Sequence, residues 1–249
     1  MLIQACLNGS RQAREHPAVP CTPLEIATDA AAVVRAGAGA AHVHPRRADG
    51  MESLAARDVA AVCEAVRRTC PGLPVGVTTA TWIEPDAAHR IDSIAAWTVL
   101  PDFASVNLSE PGAIAVIDLL NERGIGVEAG VWTLEDARML VHEGLDAACL
   151  RILVEVDAVT ALDDAIALAA AIDVVLDDGL AQAPRLHHGA AVATWAVLAA
   201  AMVRGHDVRI GLEDTLTWAD GGVAPDNAAL VARVAELAVR AGRVAERVS

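Results

Sequence analysis

The chain has 249 residues and a formal charge of −14, from 33 acidic and 19 basic residues. Every basic residue is arginine, and there is neither lysine nor tyrosine. Without a lysine amine, a Schiff-base aldolase, an enzyme holding pyridoxal phosphate on an internal imine and a Walker-type phosphate loop are all excluded.

The acidic balance argues against a nucleic-acid surface, which needs a basic stripe. No apolar run approaches the roughly 18 residues a membrane helix requires. The start, Met1-Leu-Ile-Gln-Ala-Cys6, has neither the basic region nor the cleavage site of a secretory signal. Five cysteines without CxxC spacing point to reduced thiols and a cytoplasmic protein.

In chain order the first predicted strand is Leu2–Leu7. A helix follows, opened by Thr22-Pro-Leu-Glu25 as N-cap, first-turn proline and capping-box acid, and stopped by Gly37 and Gly39. Strands are then expected at Ala41–Pro45, Pro74–Thr78, Phe103–Leu108 and Gly126–Val131, with a helix stop at Gly124. Thr133-Leu-Glu-Asp136 opens the next helix, which Gly144 ends before a strand at Ala148–Leu153. Thr160-Ala-Leu-Asp163 opens another helix, and strands Pro184–His188 and Val208–Leu212 flank a helix stopped at Gly205. Strands alternating with helices imply parallel βαβ units. Eight such units predict a single (β/α)8 TIM-barrel domain over residues 1–249. The alternative is an open doubly wound sheet, but the first turn, Leu7-Asn-Gly-Ser-Arg-Gln12, carries a single glycine.

A barrel keeps its chemistry at the C-terminal ends of its strands. There the chain places Asn8; His42, His44 and Arg46; Thr78 and Thr79; Ser105 and Asn107; Glu128; His187 and His188; and Glu213 and Asp214. In His42-Val-His44 both imidazoles share one strand face, a half-site for a divalent metal. The alternative is one core histidine and one facing solvent. In Arg209-Ile-Gly-Leu-Glu213-Asp214, the first, third and fifth residues share a face, so Glu213 can complete a two-His, one-carboxylate site with Asp214 beside it as a base. Helix capping by Glu213 or Asp214 is the competing reading. Arg11, Arg46, Arg185 and Arg209 are expected to gather at the barrel mouth.

His187 and His188 point to opposite faces, and His188 is taken as the one lining the barrel. His142 and His206 are read as surface groups or C-caps at helix ends, His89 as exposed, and Cys6 and Cys149 as small core residues. Trp195 is expected to pack outer helices or a subunit interface.

Asn8-Gly9, the segment His16-Pro-Ala-Val-Pro-Cys-Thr-Pro-Leu-Glu-Ile-Ala27, His42-Val-His-Pro-Arg46 with Asp49-Gly50, and Val208-Arg-Ile-Gly-Leu-Glu-Asp214 together resemble the beta-keto acid cleavage enzymes. The resemblance runs to the last helix, Asn227-Ala-Ala-Leu-Val-Ala-Arg233, and its paired motifs are HxHxR and RxGLED. It implies a zinc-dependent TIM barrel that condenses a beta-keto acid with acetyl-CoA and releases acetoacetate and a new acyl-CoA. His42, His44 and Glu213 match the zinc ligands, Asp214 the general base, and Arg209 the arginine that holds it. Thr78, Ser105 and Glu128 match further catalytic positions. Asn8, Arg11, Arg46, Thr79, Asn107 and His188 stand at substrate-binding positions. The family also implies a homo-oligomer.

The chain departs from the pattern in the turn Thr78-Thr-Ala-Thr-Trp82, which lacks the usual glycines. Arg11 replaces the acid of a relative that takes an aminated substrate, and so suits an anionic or neutral tail. The segment Arg185-Leu-His-His-Gly189 replaces a glycine-arginine pair that assists CoA binding. Two other readings stay open: a metal-dependent lyase or hydrolase acting on a keto acid without CoA, and a non-catalytic barrel binding small acids.

Overall fold

The protein is described here from a computed structural model, which covers residues 1–157 and 161–245. Eight parallel strands close into a barrel in sequence order: β1 Ile3–Cys6, β2 Ala40–Val43, β3 Val75–Thr78, β4 Phe103–Asn107, β5 Gly126–Val131, β6 Arg151–Val156, β7 Arg185–Gly189 and β8 Asp207–Ile210. The helices α1 Pro23–Ala36, α2 Ala56–Thr69, α3 Ala87–Ala95, α4 Ala113–Glu122, α5 Leu134–His142, α6 Leu162–Asp178, α7 Thr194–Arg204 and α8 Asn227–Arg240 follow the strands in turn. This is the (β/α)8 barrel the alternation predicts.

Local signals place the helices. Thr22 and Glu25 form the capping box of α1 with Pro23 in its first turn, and Thr133 with Asp136 does the same for α5. Thr160 lies outside the described residues. Asp226 caps α8, so Glu213 and Asp214 are free of that duty.

The core has two parts. Outward-facing strand residues such as Val43, Val77, Val127 and Val208 join the helices in one continuous cluster. Inside the barrel, Leu2, Ala40, Phe103, Leu153 and Leu186 form a separate plug. Gly76 makes room for it, because a Cβ there would sit 1.9 Å from the Phe103 ring. Polar residues therefore occupy the interior beyond this plug, toward the strands' C-terminal ends.

One strand differs from expectation. β6 runs Arg151–Val156, three residues beyond the predicted Ala148–Leu153, because Leu145–Ala148 forms a 3-10 turn. Glu155 therefore lies within the strand. It is an inward position in register with His188.

Arg185 also needs correction. It opens β7 at the opposite end of the barrel, where it pairs with Asp173 at 3.1 Å and Asp177 at 2.6 Å. His206 is likewise no simple surface group. It stacks on His187 with ring centroids 4.5 Å apart, and both face Asp173. Trp195 packs beside Trp218 at 6.0 Å and donates to the Thr217 carbonyl. No helix among the described residues is long and apolar enough to cross a membrane.

Candidate active site

Strand β2 and the turn after β8, which lie on either side of β1, bring His42, His44 and Glu213 together. His42 lies on β2 in register with Cys6 of β1, and Val43 between the histidines turns outward into the core. His44 stands just past the strand, where Asn8 replaces the sheet ladder: its Oδ1 accepts from the His44 amide at 2.8 Å and its Nδ2 donates to the His44 carbonyl at 3.0 Å. Across the barrel seam, a Cβ on Gly211 would stand 1.8 Å from the Cys6 carbonyl oxygen. Glycine there lets β1 and the turn after β8 close together and delivers Glu213 toward the histidines.

One ligand atom from each of His42, His44 and Glu213 lies within 4.8 Å of the others. His42 Nδ1 and Glu213 Oε2 are buried without a hydrogen-bond partner. Buried polar atoms are ordinarily paired, so two unpartnered atoms within this trio fit a shared cation. His44 supports this further. Its Nδ1 meets Glu52 Oε1 at 2.5 Å, leaving Nε2 facing Glu213 at 3.6 Å. A carboxylate behind an imidazole is the arrangement that orients a metal-binding histidine.

The charges agree. Burial drives His42 well toward its neutral form. Burial lowers His44 too, but Glu213 and Glu52 outweigh it and hold the ring up at about 9 when no cation is bound. Burial favours a protonated Glu213, yet Arg209, His44 and His42 keep it ionised well below the usual carboxylate range.

A second histidine–carboxylate group, Asp173, His187 and His206, reads differently. Arg185 and Arg204 already meet the two Asp173 oxygens at 3.1 and 3.4 Å. A cation there would face two guanidinium groups, so only the first group is a plausible metal centre.

Beside Glu213 lies the buried Asp214. Its Oδ2 accepts the Cys6 thiol at 2.7 Å, and its Oδ1 lies 3.4 Å from Arg209 Nη2 and 3.3 Å from His188 Nδ1. Arg209 also pairs with Glu213. Cys6 is thus a buried core residue that also partners Asp214, and burial followed by the Asp214 charge keeps it a thiol.

The remaining predicted residues divide. Thr78, Ser105 and Glu128 lie on the inner face in mutual register. The Thr78 hydroxyl accepts the Ala80 amide at 3.2 Å. Glu128 is fully buried, taking a hydrogen bond from Gln4 at 2.5 Å and pairing with Arg151 at 3.4 Å, while its Oε2 stays unpartnered. Burial raises its pKa. Arg11 sits at the rim, one-quarter exposed, donating to the Glu213 carbonyl and pairing with Glu15.

Others hold the frame. Arg46 donates to the carbonyls of Gly9, Arg11 and Gly50, tying the first loop to the second. Asn8 donates its second amide hydrogen to Pro20. Thr79 bonds the Ser105 carbonyl, and Asn107 is engaged by Glu110 and Trp132. Their polar groups thus serve neighbouring protein atoms.

Sequence reasoning missed Glu52, Glu155 and the role of Cys6. A metal-binding histidine ordinarily has a hydrogen-bond partner on its other nitrogen, which signals that His44 has one, but Glu52 reaches it from an irregular loop.

A family profile for beta-keto acid cleavage enzymes matches residues 1–248. The chain belongs to this family. The 3-keto-5-aminohexanoate cleavage enzyme of Fusobacterium nucleatum is 34% identical over 98 residues, 36% of this chain and 36% of that enzyme. Among solved structures, ObcA without ligand superposes with a TM-score of 0.74 at 17% identity, covering 93% of this chain and 64% of ObcA. ObcA in ternary complex with a C4-CoA adduct and oxalate gives 0.71 at 18% identity, covering 92% and 65%. A type I 3-dehydroquinate dehydratase from Clostridium difficile gives 0.65 at 12%, covering 96% and 91%. The match to the Fusobacterium enzyme thus spans about a third of its length, and the match to ObcA just under two thirds. At these identities the structural likenesses establish the barrel.

Proposed function

We propose that this beta-keto acid cleavage enzyme condenses a beta-keto acid with acetyl-CoA and releases acetoacetate and a new acyl-CoA, with residues 1–249 acting as one catalytic domain. The observation that carries the reading is the convergence of His42, His44 and Glu213 beside an enclosed Arg209–Asp214 pair. The Fusobacterium relative is named for cleavage of a keto acid, and ObcA has been solved with oxaloacetate and with a C4-CoA adduct. Both support a small keto acid and a CoA thioester as substrates.

A divalent ion held by His42, His44 and Glu213, which we assign as zinc from the N,N,O donor set, would supply Lewis acidity toward the keto acid's oxygens. Asp214 takes the proton from the carbon between the two carbonyl groups, and the electron pair stays on the substrate as an enolate. Arg209 offsets the negative charge gathered there. The enolate carbon bonds to the acetyl carbon and the CoA thiolate leaves. The thiolate then adds to the original keto carbon. Cleavage of the neighbouring C–C bond gives the acyl-CoA, and the departing acetoacetate carbanion recovers the proton from Asp214. Thr78 and Ser105 stand on the same inner face, where their hydroxyls can donate to oxygens that gain charge. This metal-assisted route needs no imine, in keeping with a chain that lacks lysine.

Arg11 at the rim favours an anionic or neutral tail over an ammonium. We place the enzyme in the cytoplasm as a homo-oligomer. The test is a panel of beta-keto acids differing in tail charge, incubated with zinc-loaded protein and acetyl-CoA. Acetoacetate should form, with anionic or neutral tails turned over fastest. No acetoacetate from any member would overturn the reading, and a best substrate with an ammonium tail would overturn the assignment of Arg11.

A further inference from the structure

Glu155 belongs to no motif, yet it is nearly enclosed and reaches the centre of the site. It lies directly opposite His188 in the β6–β7 register, and its Oε2 meets His188 Nε2 at 3.0 Å. The same ring's Nδ1 stands 3.3 Å from Asp214 Oδ1, but off the line of a hydrogen bond, so this buried nitrogen has no hydrogen-bond partner. One side of the imidazole is therefore fixed by a carboxylate, and the other is buried facing the base.

The barrel makes room for the arrangement. A Cβ on Gly130 of β5 would stand 2.9 Å from Glu155 Oε1 and 2.6 Å from Asn107 Oδ1. The charged and titratable groups facing His188 are Glu155 from β6, Asp214 after β8, Arg209 from β8 and His42 from β2. Cys6 of β1 reaches Asp214 from the other side.

We propose that Glu155 is a positioning residue that holds His188 as an imidazolium, with the unpartnered Nδ1–H facing Asp214 and able to donate to a negatively charged substrate oxygen brought to that base. Burial and Arg209 oppose the charge on the ring, while Asp214 and Glu155 favour it and raise His188 to about 9. A carboxylate on the far nitrogen also fixes the ring's orientation, as in other carboxylate–histidine pairs. The inference deepens the reading of the mouth as a beta-keto acid site and rests on that reading for its substrate. Its test separates the two.

The experiment is nitrogen-15 NMR of histidine-labelled, zinc-loaded enzyme, beside pH profiles of kcat/KM, for wild type, Glu155→Gln and Glu155→Asp. In wild type the His188 ring should keep both N–H groups through pH 8. In E155Q it should lose one at least about one pH unit earlier, and the alkaline limb of kcat/KM should move down with it. E155D, which keeps the charge, should restore both, and zinc content should be the same in all three. A merely structural Glu155 would leave the ring signal and the alkaline limb unmoved, and that result would overturn the proposal. So would a wild-type ring already neutral at pH 6.5, a measurement that needs no folded variant. If wild type cleaves no beta-keto acid, the functional reading falls, and the ring signals still decide the dyad.

Discussion

Gly9 and Glu213 compete for the same space: a Cβ on Gly9 would stand 2.4 Å from the Glu213 Cγ. The φ of Gly9, +51°, further disfavours a side chain. Gly9→Ala should therefore push Glu213 away from His44, weakening metal binding by about 10- to 100-fold. Competition against a chromophoric chelator measures this, and an unchanged affinity would count against Glu213 as a ligand.

Glu52 should act on the metal through His44. Glu52→Gln keeps the shape but loses the charge that orients the Nδ1 side, so zinc affinity should fall by about 10- to 100-fold. His44→Ala should lose the metal outright. Elemental analysis after dialysis ranks the variants, and full zinc retention by H44A would remove His44 from the ligand set.

The metal motifs were legible because they are local. His42 and His44 declare themselves by strand spacing, and Arg209, Glu213 and Asp214 by the end of one segment. Their partners were not, because each reaches the site through tertiary contact. Glu52 arrives from a loop eight residues beyond His44. Glu155 was hidden by a misplaced strand end, and Cys6 passed as a small apolar residue. Arg185 misled for a related reason: composition shows that arginines exist, but the strand register decides which pole they occupy, and Asp173 holds this one at the far end. The barrel itself followed from alternation, which needs no long-range knowledge.

Asp214→Asn should keep zinc and fold normally, because an amide can still pack against Cys6 and Arg209. Its kcat should drop by about 10²- to 10⁴-fold, the usual contribution of a positioned base. Exchange of the substrate's α-hydrogen in D2O should fall in parallel. Wild-type exchange in D214N would assign the base elsewhere.

Away from the site, Asp29 sets a pH dependence of stability. Burial raises its pKa from 3.8 to about 6, against a hydrogen bond from Asn227 that favours the charged form. The folded protein therefore binds this proton more tightly than the unfolded chain, and stability falls as pH rises from 3.8 through about 6. Asp29→Asn removes the buried charge and can still accept from Asn227. Its advantage over wild type should be small near pH 4 and reach about 1–2 kcal/mol above pH 7. Denaturation at both pH values reads the difference, and an equal effect at both would refute the burial argument.

The central claim is a carbon–carbon exchange between a keto acid and acetyl-CoA, and isotope tracing tests it most directly. Zinc-loaded enzyme is given a beta-keto acid labelled with carbon-13 at its carboxyl and adjacent carbons, together with unlabelled acetyl-CoA, and the products are identified by mass spectrometry. The account predicts acetoacetate labelled at its carboxyl and adjacent carbons, with an unlabelled acyl-CoA carrying the original tail. Labelled acetate formed without any need for acetyl-CoA would show hydrolysis instead, and would contradict it.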